Sequence, residues 1–217
     1  MTFWNILAVL AAGAGMTLLL SAACMVAALA VGLTAALLSR SPWAPVQRLL
    51  VGFTFLFRGI PVLVLLFLLF FGLPGLGLRV PPFLSVVLTL GLVSGAYLAE
   101  IFRGAMNAVS REETLAAEAM GMTRTQGFRY SLRPQMFRFS IPGMINEFTA
   151  ILKYTPFAYT VGIPEIMKRA MSLTPVILRG LEVYLAVGIV YFVIYKACLV
   201  IFSNLEKRYR IPGLSAQ

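Results

Sequence analysis

Aspartate and histidine are absent from this 217-residue chain, and all eight of its acids are glutamate. The two absences remove the commonest general base, the commonest metal ligand and the usual Ser-His-Asp arrangement. Charge is scarce as well: 12% of residues are charged, against about 25% in an ordinary soluble domain. The two cysteines, Cys24 and Cys198, sit inside apolar runs and read as small buried hydrophobes, not as a disulfide or a metal site. What is abundant is apolar surface, with 60% hydrophobic residues and a mean hydropathy of +0.90. A chain of this length has too little interior volume to hide that surplus from water. Disordered chains, coiled coils and most water-soluble folds are excluded, and lipid is the natural solvent.

The apolar residues fall into long runs. The first 39 residues carry no charged side chain, a stretch too long for the short apolar core of a signal peptide. The hydropathy pattern predicts five transmembrane helices over about 11–39, 49–71, 83–102, 142–162 and 181–202, in one transmembrane domain spanning 1–217. Each run meets or nears the ~20 residues that cross a hydrocarbon core. Met1–Leu10 reads as an interfacial lead-in, with Trp4 at headgroup level. Gly59 and Pro61 predict a bend in the second run. Segment 103–141, with six Arg and three Glu, reads as two short amphipathic helices outside the bilayer, and 163–180 and 204–217 read as polar connector and basic tail.

Loop charge orients these helices. With the N-terminus outside, the inner segments hold 11 Lys and Arg and the outer ones 4. That asymmetry predicts an N-out, C-in topology with 103–141 in the cytoplasm. It also accounts for the net charge of +10 without nucleic acid. The expected location is a lipid bilayer, crossed several times.

Arg58, Glu147, Lys153 and Lys196 lie inside apolar runs. An ion at bilayer depth costs at least ~2.5–3.5 kcal/mol on insertion scales, so such residues face a cavity or a partner. Glu147 either lines a permeation path or pairs with Lys153 or with Arg58 from another helix. Lys153 is six residues on, which is poor spacing for a pair on one helix. Glu100 and Arg103 have ion-pair spacing near the inner end of the third run. Pro156 breaks a helix within a membrane segment, and carbonyls freed there, with the Thr155 hydroxyl, suit contact with a substrate.

The cytoplasmic segment carries the most specific pattern. Leu115-Ala116-Ala117 is followed after three residues by Gly121, and Pro134 comes thirteen residues later. Small alanines permit close approach of another protein, and Gly121 can turn the chain out of a helix. The spacing resembles the EAA loop of binding-protein-dependent ABC transporter permeases: Glu-Ala-Ala, three residues, Gly, nine residues, Ile-x-Leu-Pro. Ala116, Ala117, Gly121 and Pro134 keep their places, while Leu115, Ser131 and Arg133 stand at the Glu, Ile and Leu positions. Further blocks resemble the polar amino acid permeases in the same order: Phe57–Pro61 (FRGIP), Gly95–Gly104 (GAYLAEIFRG), Pro142–Glu147 (PGMINE) and Lys153–Phe157 (KYTPF).

This resemblance implies an all-α integral membrane subunit of a type I ABC importer, with Leu115, Ala116, Ala117, Gly121 and Pro134 in an ATPase-coupling helix-turn-helix. The implied substrate path takes in Arg58, Asn146, Glu147, Lys153 and Thr155. The implied partners are a dimer of ATP-binding subunits holding ATP and Mg, a second permease chain (identical or different) and an extracytoplasmic amino-acid-binding protein. No phosphate-binding G-x-x-x-x-G-K-[ST] loop occurs, so nucleotide chemistry belongs to another chain. No catalytic residue, metal ligand or cofactor is expected here. Two rival classes remain. An ion-coupled secondary transporter is disfavoured by the missing Asp and His. An integral-membrane transferase has only Glu100 and Arg103 to work with.

Overall fold

The computed structural model describes residues 1–109 and 111–209, so the end of the basic tail at 210–217 lies outside the described residues. Every regular element among them is helical. Helices α1 (Phe3–Ala11) and α2 (Ala14–Leu38) form one apolar rod of 36 residues with a break at Ala12–Gly13. The expected lead-in is thus helical, and it is not merely interfacial: Ile6 and Leu10 are fully buried while Trp4 is exposed.

Helix α3 (Ala44–Gly59) starts on Pro45 in its first turn and stops before Pro61. Proline disfavours the helical conformation in the residue before it, and Ile60 is extended. Helix α4 (Val62–Phe67), with its wide and tight continuations Leu68–Gly72 and Leu73–Leu76, leaves at 103° to α3. The bend expected at Gly59–Pro61 is therefore sharp. Helix α5 (Pro82–Ala108) opens on a proline, whose missing N–H costs nothing at that position.

The cytoplasmic segment follows as α6 (Arg111–Ala119) and α7 (Arg124–Gly127), then a wide turn at Phe128–Leu132 leading into α8 (Arg133–Tyr154). Pro134-Gln135 reads in the sequence as a break in the second cytoplasmic helical stretch, but Pro134 does not end the helical path. It falls in the first turn of α8 directly after the widened turn, where an absent N–H is absorbed. The expected fourth run, 142–162, is the second half of α8 plus a 3₁₀ segment, Thr155–Val161, that ends on left-handed Gly162 (φ 90°). Helix α9 (Ile166–Ile177) occupies the expected connector, and α10 (Gly180–Tyr209) closes the described chain.

Among the described residues, three helical rods are long and apolar enough to cross a membrane (Phe3–Leu38, Pro82–Ala108, Gly180–Asn204), and the bent α3–α4 pair, counted as one span, makes a fourth. Helix α8 is more polar and lies against α5, with Ile151 and Leu152 buried.

Small residues position α5 against α2. A Cβ added at Gly95 would lie 2.6 Å from Val31 Cγ1, one at Gly32 2.6 Å from Leu98 Cβ, and one at Gly91 2.8 Å from Ala27 Cβ. Gly91 and Gly95 form a G-x-x-x-G step, the pattern that lets helix backbones approach closely in lipid. Buried hydroxyls on these helices return to their own backbone: Ser21 to the Thr17 carbonyl (2.8 Å), Thr89 to Ser85 (2.7 Å), Ser140 to Met136 (2.7 Å). Apolar packing divides into two bodies. One joins α2, α5, α8 and the 3₁₀ segment through Leu20, Leu98 and Ile151. The other joins α1, α9 and α10 through Leu10, Ile166 and Val183.

Candidate functional site

Two groups of expected residues are kept apart by the fold. The first is the cytoplasmic turn. Gly121 has φ 74°, in the region that glycine enters without steric cost. Its N–H bonds the Glu118 carbonyl at 2.9 Å, and Met122 N–H reaches back to Ala117 at 3.1 Å, closing α6 with a left-handed cap. Two residues on, Thr123 N–H donates to Gln126 Oε1 (2.8 Å) and Gln126 N–H to Thr123 Oγ1 (3.4 Å). That reciprocal pair is a capping box for α7. The turn is thus held on both sides by local bonds. Ala117 is buried towards α7, near Gly127, whereas Leu115, 53% exposed, and Ala116 face outward. Pro134 is also exposed, one widened turn further on.

The second group surrounds one stretch of α5. Arg58, at the last turn of α3, places its guanidinium 4.9 Å from the Tyr97 ring centroid, a cation–π contact. One turn earlier on α5 is Ser94, whose buried hydroxyl lies beside the Glu147 carboxyl from α8. Glu147 is 6% exposed. The pairing weighed for it does not form: Lys153 lies over the Tyr195 ring (5.2 Å) and Arg58 over Tyr97. Among the described residues the ion pairs are Glu100–Arg103, as the spacing predicts, and Arg179–Glu182. The former borders a cavity of about 310 Å³ that Ser39, Gln47 and Thr54 also line, away from Glu147. Asn146 is exposed beside Glu147 and accepts the Thr149 hydroxyl at its carbonyl (2.8 Å).

Thr155 sits elsewhere. It is fully buried, donates to the Leu152 carbonyl (2.8 Å) and lies 3.4 Å from the Tyr191 hydroxyl. Tyr191 donates to Glu165 Oε2 at 2.8 Å. The same carboxylate caps α9, accepting Met167 N–H and Lys168 N–H, both at 2.7 Å. Glu165 is wholly buried. Burial pushes its carboxyl above the usual range, and the backbone and tyrosine donors pull it back down. Sequence reasoning passed over Ser94, Tyr97, Glu165 and Tyr191. Pro164-Glu165 ahead of an apolar-periodic stretch was the available signal for a helix start, but glutamate is outside the usual capping set.

Comparison with known proteins follows the same lines. Residues 28–211 match the family model described as "Binding-protein-dependent transport system inner membrane component". The chain is 36% identical to the probable amino-acid permease protein YxeN of Bacillus subtilis, over 88% of this chain and 84% of that protein. It is 30% identical to the glutamine transport system permease protein GlnP of Escherichia coli, over 96% of each. Among solved structures, an amino acid ABC transporter crystallised with histidines aligns with a TM-score of 0.88 at 29% identity, covering 96% of this chain and 99% of that one. The MetNI methionine ABC transporter in an inward-facing form aligns at 0.79 and 15% identity, covering 97% and 100%, a likeness of fold.

Proposed function

Because the chain belongs to the family of binding-protein-dependent transport system inner membrane components, we propose that it carries a polar amino acid across the inner membrane by alternating access. The relatives named for amino acid and glutamine transport support that substrate class. In this reading an ATPase dimer docks on α6 and α7, and a second permease chain completes the path. A binding protein delivers substrate from outside. ATP and Mg reside on the ATPase. Closure of the two ATPases pushes the stiff α6–α7 turn, and the paired helices switch between inward-open and outward-open.

One observation carries the substrate class: a carboxylate on α8 and a guanidinium on α3, neither in an ion pair among the described residues, lie against side chains one helical turn apart on α5. Glu147 stands by Ser94 and Arg58 by Tyr97. An amino acid backbone carries the complementary charges, an ammonium for Glu147 and a carboxylate for Arg58. Low dielectric around a nearly buried Glu147 strengthens that attraction. Lys153 and Asn146 extend the polar lining along α8, whereas Thr155 stays buried against Tyr191, apart from it.

The expected result for Glu147→Gln, reconstituted with its ATPase and binding protein, is a fall of about tenfold in uptake at low substrate concentration. Replacing a charge-assisted contact with a neutral one has that size. Substrate-free ATP hydrolysis should stay at the wild-type rate. An unchanged uptake profile across amino acids would reduce Glu147 to a structural group.

A further inference from the structure

The two packed bodies meet along a seam, and the chain crosses it at Gly13, between α1 and α2, and at Pro164–Glu165, between the 3₁₀ segment and α9. These crossings touch. A Cβ at Gly13 would lie 2.8 Å from Ile166 N and 2.9 Å from Glu165 C, so only glycine admits this approach of backbone to backbone.

Hydrogen bonds at the seam fall into two grades. Within the α1–α9–α10 body they are short: Glu165 takes Met167 N–H and Lys168 N–H at 2.7 Å and the Tyr191 hydroxyl at 2.8 Å. Across to the other body they are long: Tyr191 to Thr155 at 3.4 Å, and Ile166 N–H to Thr17 Oγ1 at 3.5 Å. Thr155 and Thr17 are each also bonded within their own body, to the Leu152 and Gly13 carbonyls. Parting the bodies breaks the two long bonds, along with the Lys153–Tyr195 and Phe148–Phe202 contacts between α8 and α10. The Thr155, Thr17 and Tyr191 hydroxyls each keep a second partner and the carboxylate of Glu165 keeps its three donors, while the Ile166 N–H gives up its bond. A joint that has to open and close repeatedly needs this inequality, since an orphaned buried polar group costs more than a bond made on exposure.

We propose that this seam is a working joint of the transport cycle, with Glu165 as the positioning residue that holds the Tyr191 hydroxyl against Thr155 in the resting conformation. The first apolar rod is broken at Gly13 because its two halves belong to bodies that move separately. Helix α8, which carries Glu147 and Lys153, then shifts with α2 and α5 while α10 stays with α1 and α9. The inference rests on the transport reading in one respect, that an ATPase drives the chain. It does not depend on which substrate is carried.

Tyr191→Phe removes the latch hydroxyl and leaves Glu165 capping α9. A ligand-free equilibrium held by one buried hydrogen bond shifts by about tenfold on its loss. In the intact complex reconstituted in lipid, substrate-independent ATP hydrolysis is expected to rise about tenfold, with half-saturation by the loaded binding protein unchanged. A wild-type basal rate in an intact Tyr191→Phe complex would overturn the joint. If that variant does not assemble, Thr17→Val, which removes the second cross-seam acceptor together with its bond to the Gly13 carbonyl, is expected to show the same rise, and a wild-type rate there overturns the joint equally. Failure of both variants to assemble would mark the seam as static core and also overturn it. Failure of the amino acid reading shows differently, as absence of uptake by the unmutated complex.

Discussion

Gly121→Pro is expected to leave the helices inserted and the complex assembled, while uptake falls at least tenfold and ATP hydrolysis continues without transport. Proline holds φ near −65°, and position 121 sits at 74°, so the left-handed cap cannot form. The substitution also removes the N–H that bonds Glu118. An incompatible proline costs about 3 kcal/mol or more, enough to unmake a turn held by a handful of local bonds. The damage should stay local, since a Cβ at 121 would meet nothing within 4 Å, and Thr123 and Gln126 still cap α7. What is lost is stiffness between α6, with outward-facing Leu115 and Ala116, and the continuous path into α8. Gly121→Asn supplies the contrast: asparagine tolerates the left-handed region, so that variant should keep more than half the wild-type uptake. Paired measurement of uptake and ATP hydrolysis in proteoliposomes separates the outcomes, and normal uptake by Gly121→Pro would refute the coupling role.

Gly95→Leu should have the largest effect on the fold itself, leaving little or no folded protein in the membrane. The first added carbon would already lie 2.6 Å from Val31 Cγ1 and 2.7 Å from Val31 Cβ, and three more follow it. Overpacking a close-packed contact costs ~1–3 kcal/mol in ordinary cores. Here two long helices would be pushed apart along a face where Cys24, Ala28, Ala36 and Ala99 are all buried, and Ser94 and Tyr97 would move with α5. Gly15→Leu is the control, since a Cβ at Gly15 meets nothing within 4 Å. Detergent extraction followed by size-exclusion chromatography should recover the Gly15 variant as a normal peak and lose the Gly95 variant to aggregate. Equal recovery would contradict the close α2–α5 packing.

Much of the fold follows from local chemistry that a sequence displays. Gly59-Ile60-Pro61 dictates a bend because the residue before proline avoids the helical region. Gly121 dictates a turn because ten residues earlier an amphipathic helix has begun and a left-handed stop suits glycine. The positions of Ala117 and Leu115 on opposite sides of α6 follow from helical spacing. Other features depend on partners distant in the chain. Gly91 and Gly95 are unremarkable until Ala27 and Val31 lie against them. Met1–Leu10 looked interfacial because its composition is shared by lipid-facing and buried helices alike. It is buried because α9 and α10 offer Ile166 and Val183 to Ile6 and Leu10.

The site divides in the same way. Glu147 and Arg58 stand out as charges inside apolar runs, and their cost in lipid points to a cavity or a partner. That Ser94 and Tyr97 bring them to one stretch of α5 depends on how three helices cross. Glu165 was hidden because a carboxylate in a connector with Lys168 and Arg169 looks solvated. Only the fold shows it enclosed by α9, α10 and the 3₁₀ segment. Pro134 misled because a proline after a polar stretch ordinarily ends a helix, whereas the widened turn at Phe128–Leu132 lets the helix continue.

The most direct test of the central claim is substrate uptake by sealed proteoliposomes containing this permease, with its ATPase and binding protein added or withheld. Uptake of a polar amino acid that requires all three components and ATP, and that survives an uncoupler, is the expected result. Uptake that persists with this chain alone and is abolished by the uncoupler would contradict it and identify an ion-coupled carrier.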